Sequence, residues 1–365
     1  MTMPTTEPLG ALIDRSHRPR EPGDHDEVWN LNLDQIEPHS GRVLAKRMVS
    51  TSDLGPSTFA FDRGTVLYSK LRPYLNKVVV ADDAGVATTE LVPLRCDDSR
   101  LGAHYLAHFL RGPEFLRFAT NVVAGAKMPR MVMSEFWKFP VPLPPLPEQR
   151  RIAAILDQAD ALRAKRREAL AQLDSVTQAI FIEMFGDEAT NPKALARSTL
   201  GALIQVKSGD FLPASAMAPE GHVPVFGGNG VNGFHNVPMF DRPKIVIGRV
   251  GAYCGCVHTT PKESWVTDNA MYVSRIDDAL HFGYLAFALQ RANLNRVASQ
   301  SGQPLVSASR IYPVEILIPP LPLQQTFASR IQAVESLKAT HRAALAESDA
   351  LFASLQHRAF AGQLS

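Results

Sequence analysis

The sequence predicts an α+β chain: two tandem mixed α/β domains separated by two long helices packed as an antiparallel coiled coil. Three observations predict it. A proline-led segment is written twice, as "PPLPEQRRIAAILDQADAL" at 144–162 and "PPLPLQQTFASRIQAVESL" at 319–337. Apolar stripes of helical period run on from both copies. Similar strand and helix patterns lie upstream of each.

The N-terminal stretch, residues 1–26, reads as a loose polar arm. It has no charged n-region followed by an apolar core, so no signal peptide is expected. No apolar run reaches the length of a membrane span. With 45% apolar and 20% charged residues in 365, the composition is that of a folded chain of about two domains. Three cysteines, Cys96, Cys254 and Cys256, suit a reducing cytoplasm better than a disulfide framework.

Residues 27–143 form the first expected domain, with strands in "TVLYS", "KVVVA" and "ELVPL" and a short helix in "LGAHYLAHFLRG". The second, residues 187–318, has strands in "KIVIGRV" and "AMYVSRI" and a helix in "HFGYLAFALQRA". A shift of 179 lays "VLYSKLRPY" (66–74) on "IVIGRVGAY" (245–253) and "YLAHFL" (105–110) on "YLAFAL" (284–289). Downstream the shift becomes 175, and fourteen of the 42 positions in 144–185 are then identical to 319–360.

The spacer helices, 144–186 and 319–362, are expected to begin after their prolines and to stop near Gly186 and Gly362. About 37 residues at about 1.5 Å each give roughly 55 Å. Both ends of the second domain join a spacer, one near Gly186 and one near Leu323, so the helices should run antiparallel. Centring the pair on Arg166 and His341 sets 166+k against 341−k. That register pairs Ile152 with Leu355, Ile155 with Phe352, Leu156 with Leu351, Leu162 with Leu345, Leu170 with Leu337, Leu173 with Val334, Val176 with Ile331 and Ile180 with Phe327, apolar throughout as a seam requires.

Net charge is only +2, yet residues 41–80 hold seven Lys or Arg against two Asp. Such a cluster attracts phosphate, although a solvated surface has the same composition. Within it Lys70, Arg72, Tyr74, Asn76 and Lys77 join cations, an aromatic and an amide, the groups that meet phosphates and base edges. The second domain offers Arg249 and Tyr253 at matched positions, with Asn229 and Asn232 in a Gly-rich loop. "GAKMPR" (125–130) and "QSGQPL" (300–305) precede the spacers at equivalent places, which adds Lys127, Arg130, Gln300 and Gln303. "CGCVH" sets Cys254, Cys256 and His258 on one face of a candidate strand, but no second ligand pair follows and no metal is expected. No phosphate-binding G-x-x-x-x-G-K-[ST] and no Gly-rich cofactor loop after a strand appear.

"PLPPLPEQR" (142–150) leading into "IAAILDQADAL" resembles the spacer region of type I restriction–modification specificity (S) subunits. "LYSKLRPYLNKVVVA" (67–81), "VPVFGGNGVNGFHN" (223–236) and "WVTDNAMYV" (265–273) resemble their target-recognition domains. The second copy departs from the first where Leu323 stands for Glu148 and Arg330 for Ile155. The resemblance implies a non-catalytic subunit that reads a bipartite, asymmetric site on double-stranded DNA through Lys70, Arg72, Tyr74, Asn76, Lys77, Lys127, Arg130, Asn229, Asn232, Arg249, Tyr253 and Gln303. It implies two modification subunits that bind S-adenosylmethionine and methylate adenine, and two ATP-dependent restriction subunits. It implies no cofactor on this chain.

Overall fold

Buried strands with side chains in two different cores organise each half of the chain. In the first, Val66–Ser69 lies between Val78–Val80 and Leu91–Leu94, antiparallel to both. Val66 and Tyr68 enter one core while Leu67 enters another, as the two-residue period of a strand dictates. The second half repeats this: Ile245–Gly248 sits between Val257–Thr259 and Ala270–Ile276, with Ile245 and Ile247 in one core and Val246 in the other.

The computed structural model describes residues 5–14, 16–23, 26–299 and 302–364. It divides into two units, Met1–Ala169 with His341–Ser365, and Leu170–Thr340. Each unit therefore takes one globular domain, part of one long helix and the opposite part of the other.

In the first unit a second sheet runs in the order Met48–Ser50, Glu27–Leu31, Gly85–Thr88, Thr58–Phe61. Trp29 and Phe61 meet edge to face beneath it. Helices Ala103–Leu110 and Pro113–Asn121 cover the other face of the central sheet and bury Tyr105, Phe109 and Phe115. Ile152, Ala153 and Leu156 of the first long helix and Ala359 of the second enter the same core. In the second unit Phe181 and Phe185 of the first long helix meet Phe327 of the second edge to face, beside Tyr284.

The first part of the expected loose arm, residues 5–14, is ordered. Thr6–Pro8 pairs antiparallel with Pro140–Pro142, and Leu9 and Leu12 are fully buried. The second unit has the same device: Ala196–Thr199 pairs with Glu315–Ile318, and Leu200 and Leu203 are buried. Residues 5–14 thus carry the opening strand of the first repeat, Thr6–Pro8, and the buried turn that follows it.

The long helices span Leu146–Phe185 and Leu321–Phe360, 40 residues each. They begin inside the proline runs, because Pro147 and Pro322 occupy the first turn, where a missing N–H costs no hydrogen bond. Within each unit they run antiparallel. Arg163 meets Asp349 in the first, while Asp174 meets Lys338 and Glu183 meets Arg330 in the second.

The expected register is not the one found. It sets Arg163 against Ala344 and Asp174 against Ala333, yet both meet residues five positions further on. Leu162, Val176, Leu337 and Leu351 are 54%, 42%, 47% and 58% exposed, so four of the eight apolar pairs have a member in solvent. Ion pairs hold the places that an apolar stripe was expected to fill.

Candidate nucleic-acid interface

Three backbone hydrogen bonds build the same loop in both units. In the first, Lys70 N–H donates to Glu90 O, Met131 N–H to Lys70 O, and Arg72 N–H to Pro129 O. In the second, Arg249 N–H donates to Asn269 O, Val306 N–H to Arg249 O, and Gly251 N–H to Pro304 O. The central strand of each domain thereby ends against the segment that precedes the spacer. This draws Lys70, Arg72 and Tyr74 beside the hairpin Val123–Ala124/Arg130–Met131, whose tip holds Lys127. It likewise draws Arg249 and Tyr253 beside Gln303. Gln300 lies outside the described residues.

Arg72, Tyr74 and Lys127 are exposed, and Lys70 is half-buried. Arg72 sits in the left-handed region at φ 48°, as does its repeat equivalent Gly251 at φ 76°. Arg130 is directed elsewhere: Nε and Nη2 donate to both oxygens of Glu90, at 3.0 and 2.7 Å. The bonds from Arg130 hold the Glu90 carboxyl below the usual carboxylate range, with the Arg130 and Lys70 charges adding to the effect.

Two sequence candidates turn inward. Asn76 is 5% exposed, adopts φ 49°, and donates its amide to Arg111 O at 3.0 Å. Lys77 donates from Nζ to Leu33 O at 2.6 Å, and burial pushes its ammonium down, opposed by the Asp34 charge. Both residues close the turn after Pro73–Leu75, with their polar groups spent on backbone carbonyls.

In the second unit the hairpin Val223–Gly227/Gly230–His235 turns at Gly228 and Asn229. It folds onto the loop: a Cβ on Gly248 would stand 2.7 Å from Gly228 O and 2.3 Å from Tyr253 O, so only glycine permits the approach. Asn229 and Asn232 are exposed. Arg249 Nη1 donates to Ser208 Oγ at 3.1 Å. Ser208 and the exposed Phe211 beyond it are residues that sequence reasoning missed, since no motif marks them.

"CGCVH" does not form the expected strand face. Gly255, at φ 82°, bends the chain so that Cys254 is buried and Cys256 exposed, and the strand begins only at Val257. Among the described residues no three His, Cys, Asp or Glu are grouped to hold a metal ion, and no helix is long and apolar enough to cross a membrane.

The family model described as the type I restriction modification DNA specificity domain matches twice, at residues 57–172 and 192–347. The chain belongs to that family. Both matches run from a globular domain into a long helix, so the domain–helix unit is what this chain repeats. The type I restriction enzyme EcoDI specificity subunit of Escherichia coli is 28% identical over 183 residues, 49% of this chain and 40% of that one. The EcoprrI specificity subunit of the same organism is 28% identical over 222 residues, 56% of this chain and 54% of that one. The chain thus spans about half the length of these relatives. The S subunit of the type I restriction-modification system from M. genitalium has a TM-score of 0.67 at 17% identity over 98% of this chain and 96% of that one. A chain from a structure describing complex assembly and conformational transition of the type I R-M system has 0.57 at 19%, over 100% of both. These two likenesses concern the fold.

Proposed function

We propose that this chain is the DNA-reading subunit of a type I restriction–modification complex and carries no chemistry of its own. The observation that carries this proposal is the repeated loop with different side chains. The same three backbone bonds present Lys70, Arg72, Tyr74 and Lys127 in one unit, and Arg249, Tyr253, Gln303 and the Asn229 hairpin in the other. Equal frames with unequal contact groups suit two half-sites of different sequence on one duplex.

Two modification subunits, holding S-adenosylmethionine and methylating adenine, are the proposed partners, with two ATP-dependent restriction subunits joining for cleavage. The exposed apolar residues of the long helices support a paired partner. Leu162 and Leu337 are exchanged by the 175-residue shift, as are Val176 and Leu351, which gives each unit an equivalent apolar pair.

Mapping methylated adenines in the host genome, with and without this chain, tests the proposal. A bipartite motif that vanishes on deletion supports it. Methyl transfer or ATP hydrolysis by the purified chain alone contradicts it.

A further inference from the structure

Gln149 and Gln324 are equivalent under the 175-residue shift, and both are buried at the start of a long helix. Gln149 Oε1 accepts from Gly102 N–H at 2.9 Å, while its amide nitrogen donates to Arg100 O at 2.8 Å and Pro144 O at 2.9 Å. Gln324 Oε1 accepts from His281 N–H at 2.8 Å, and its nitrogen donates to Ala279 O at 2.8 Å and Pro319 O at 2.7 Å. Every partner in one set is the repeat equivalent of a partner in the other. One N–H and two carbonyls surround each amide, so only one orientation satisfies them, and neither Glu nor a hydroxyl side chain supplies the same groups.

The bonds join three pieces of backbone at one point. Gly102 and His281 are the residues before the domain helices Ala103–Leu110 and Phe282–Arg291. Pro144 and Pro319 belong to the segments that enter the long helices. A second tie lies beside each glutamine: Tyr105 OH donates to Pro142 O, and Tyr284 OH to Leu317 O. Nearby apolar packing is non-directional and resists separation more than rotation. A three-bond amide resists rotation because hydrogen bonds weaken as their angles bend.

We propose that Gln149 and Gln324 are positioning residues that set the angle of each reading domain on its own helix, and through it the strictness of the gap between half-sites. This rests on the DNA-reading function proposed above. One base pair advances about 3.4 Å along a duplex, so a small rotation at the junction moves a reader into the neighbouring register.

Gln149→Met and Gln324→Met keep the side-chain length and remove all three bonds. Each is introduced into the full chain in its host, and methylated adenines are mapped. The expected result is an about tenfold rise in methylation at sites whose gap is one base pair longer or shorter, the scale of losing one or two buried hydrogen bonds. The preferred bases of both half-sites stay unchanged. A merely structural role predicts less methylation at every site and an unchanged gap distribution, which would overturn the inference. Tyr105→Phe and Tyr284→Phe remove one hydroxyl beside each amide and decide the matter if the Met variants fail to accumulate: a widened gap supports positioning, and an unchanged one overturns it. A wild-type chain without any bipartite motif overturns the DNA-reading function instead.

Discussion

Lys338 Nζ donates to Asp174 Oδ1 at 2.8 Å and so joins the two long helices inside the second unit. Its repeat equivalent, Arg163, reaches Asp349, the equivalent of Asp174, inside the first. Each cation also meets an acid on its own helix, Glu335 for Lys338 and Asp160 for Arg163. The duplication has kept the pattern of the pair and changed only the type of cation and of one acid.

Lys338→Met should lower stability by about 1–2 kcal/mol, because the acids left behind lie near solvent and rehydrate. A double-mutant cycle with Asp174→Ala should give a coupling of about 1 kcal/mol. Burial alone pushes the Lys338 ammonium down, but bonds from Asp174 and Glu335 leave it raised above its ordinary 10.5. A raised cation contributes fully below the unfolded value and loses its contribution as pH climbs through the folded one. The Lys338→Met deficit should therefore be the same at pH 7 and pH 9 in urea titrations. Zero coupling would remove the clamp from the account.

Asp157 gives an acid-side prediction. It bonds His104 Nδ1 at 3.0 Å and His108 Nε2 at 2.7 Å. Burial alone would raise its carboxyl, but bonds from both imidazoles, helped by their charge, hold it well below the ordinary 3.8. A depressed acid contributes above its unfolded value and loses that contribution as pH falls through the folded one. Asp157→Asn should thus be less stable at pH 7, with a deficit that begins to narrow only as pH falls below about 4 and closes as pH falls through the depressed folded value. The imidazoles oppose each other between. Burial pushes His108 down, so its contribution fades as pH falls, whereas the bond to Asp157 pushes His104 up, so its contribution fades as pH rises. Urea midpoints at pH 7, 5 and 3.5 measure all of this, and a deficit independent of pH would refute it.

Alanine at Lys70, Arg72 and Lys127 together should impair recognition of one half-site, leave the other intact and spare the fold. Loss of phosphate contacts alone would weaken binding to all sequences and flatten its salt dependence. Asn76→Ala should act oppositely, lowering stability by about 1–3 kcal/mol through an unmet Arg111 carbonyl and a left-handed backbone. Salt-series DNA binding of the assembled complex and urea unfolding separate these outcomes. An Asn76→Ala chain of normal stability would return that residue to the contact surface.

Much of this architecture is legible in the sequence because duplication and helical period survive substitution. The repeat, the two long helices, their antiparallel course and the central strands are all visible there. What escaped has physical causes. "LGALI" stands at both 9–13 and 200–204, yet at a shift of 191 rather than 175 or 179, so the opening strand passed for a loose arm. The register escaped because hydrophobicity ranks Leu162 and Leu337 as seam residues, while the long stems of Arg163 and Lys338 bury alongside the acids they meet. At the loop, composition cannot separate Arg72, which faces out, from Asn76, whose amide is held inward by the Arg111 carbonyl, although both share a left-handed backbone.

The paired clamps also say how the spacer must be altered to move the readers. Arg163 with Asp349 and Asp174 with Lys338 flank one centre, between Glu168 and Ala169 on the first helix and Ala343 and Ala344 on the second. Seven residues added at both places leave both clamps intact. A heptad also keeps the stripe on nearly the same face, drifting by only about 20°. The added rise is about 10.5 Å, against about 3.4 Å per base pair, so the gap in the methylated motif should lengthen by up to about three base pairs while its bases stay the same. Insertion in the first helix alone forces one clamp to break whenever the other forms, and that chain should unfold at lower urea. Altered half-site bases with an unaltered gap would show that the helices do not measure the distance between the readers.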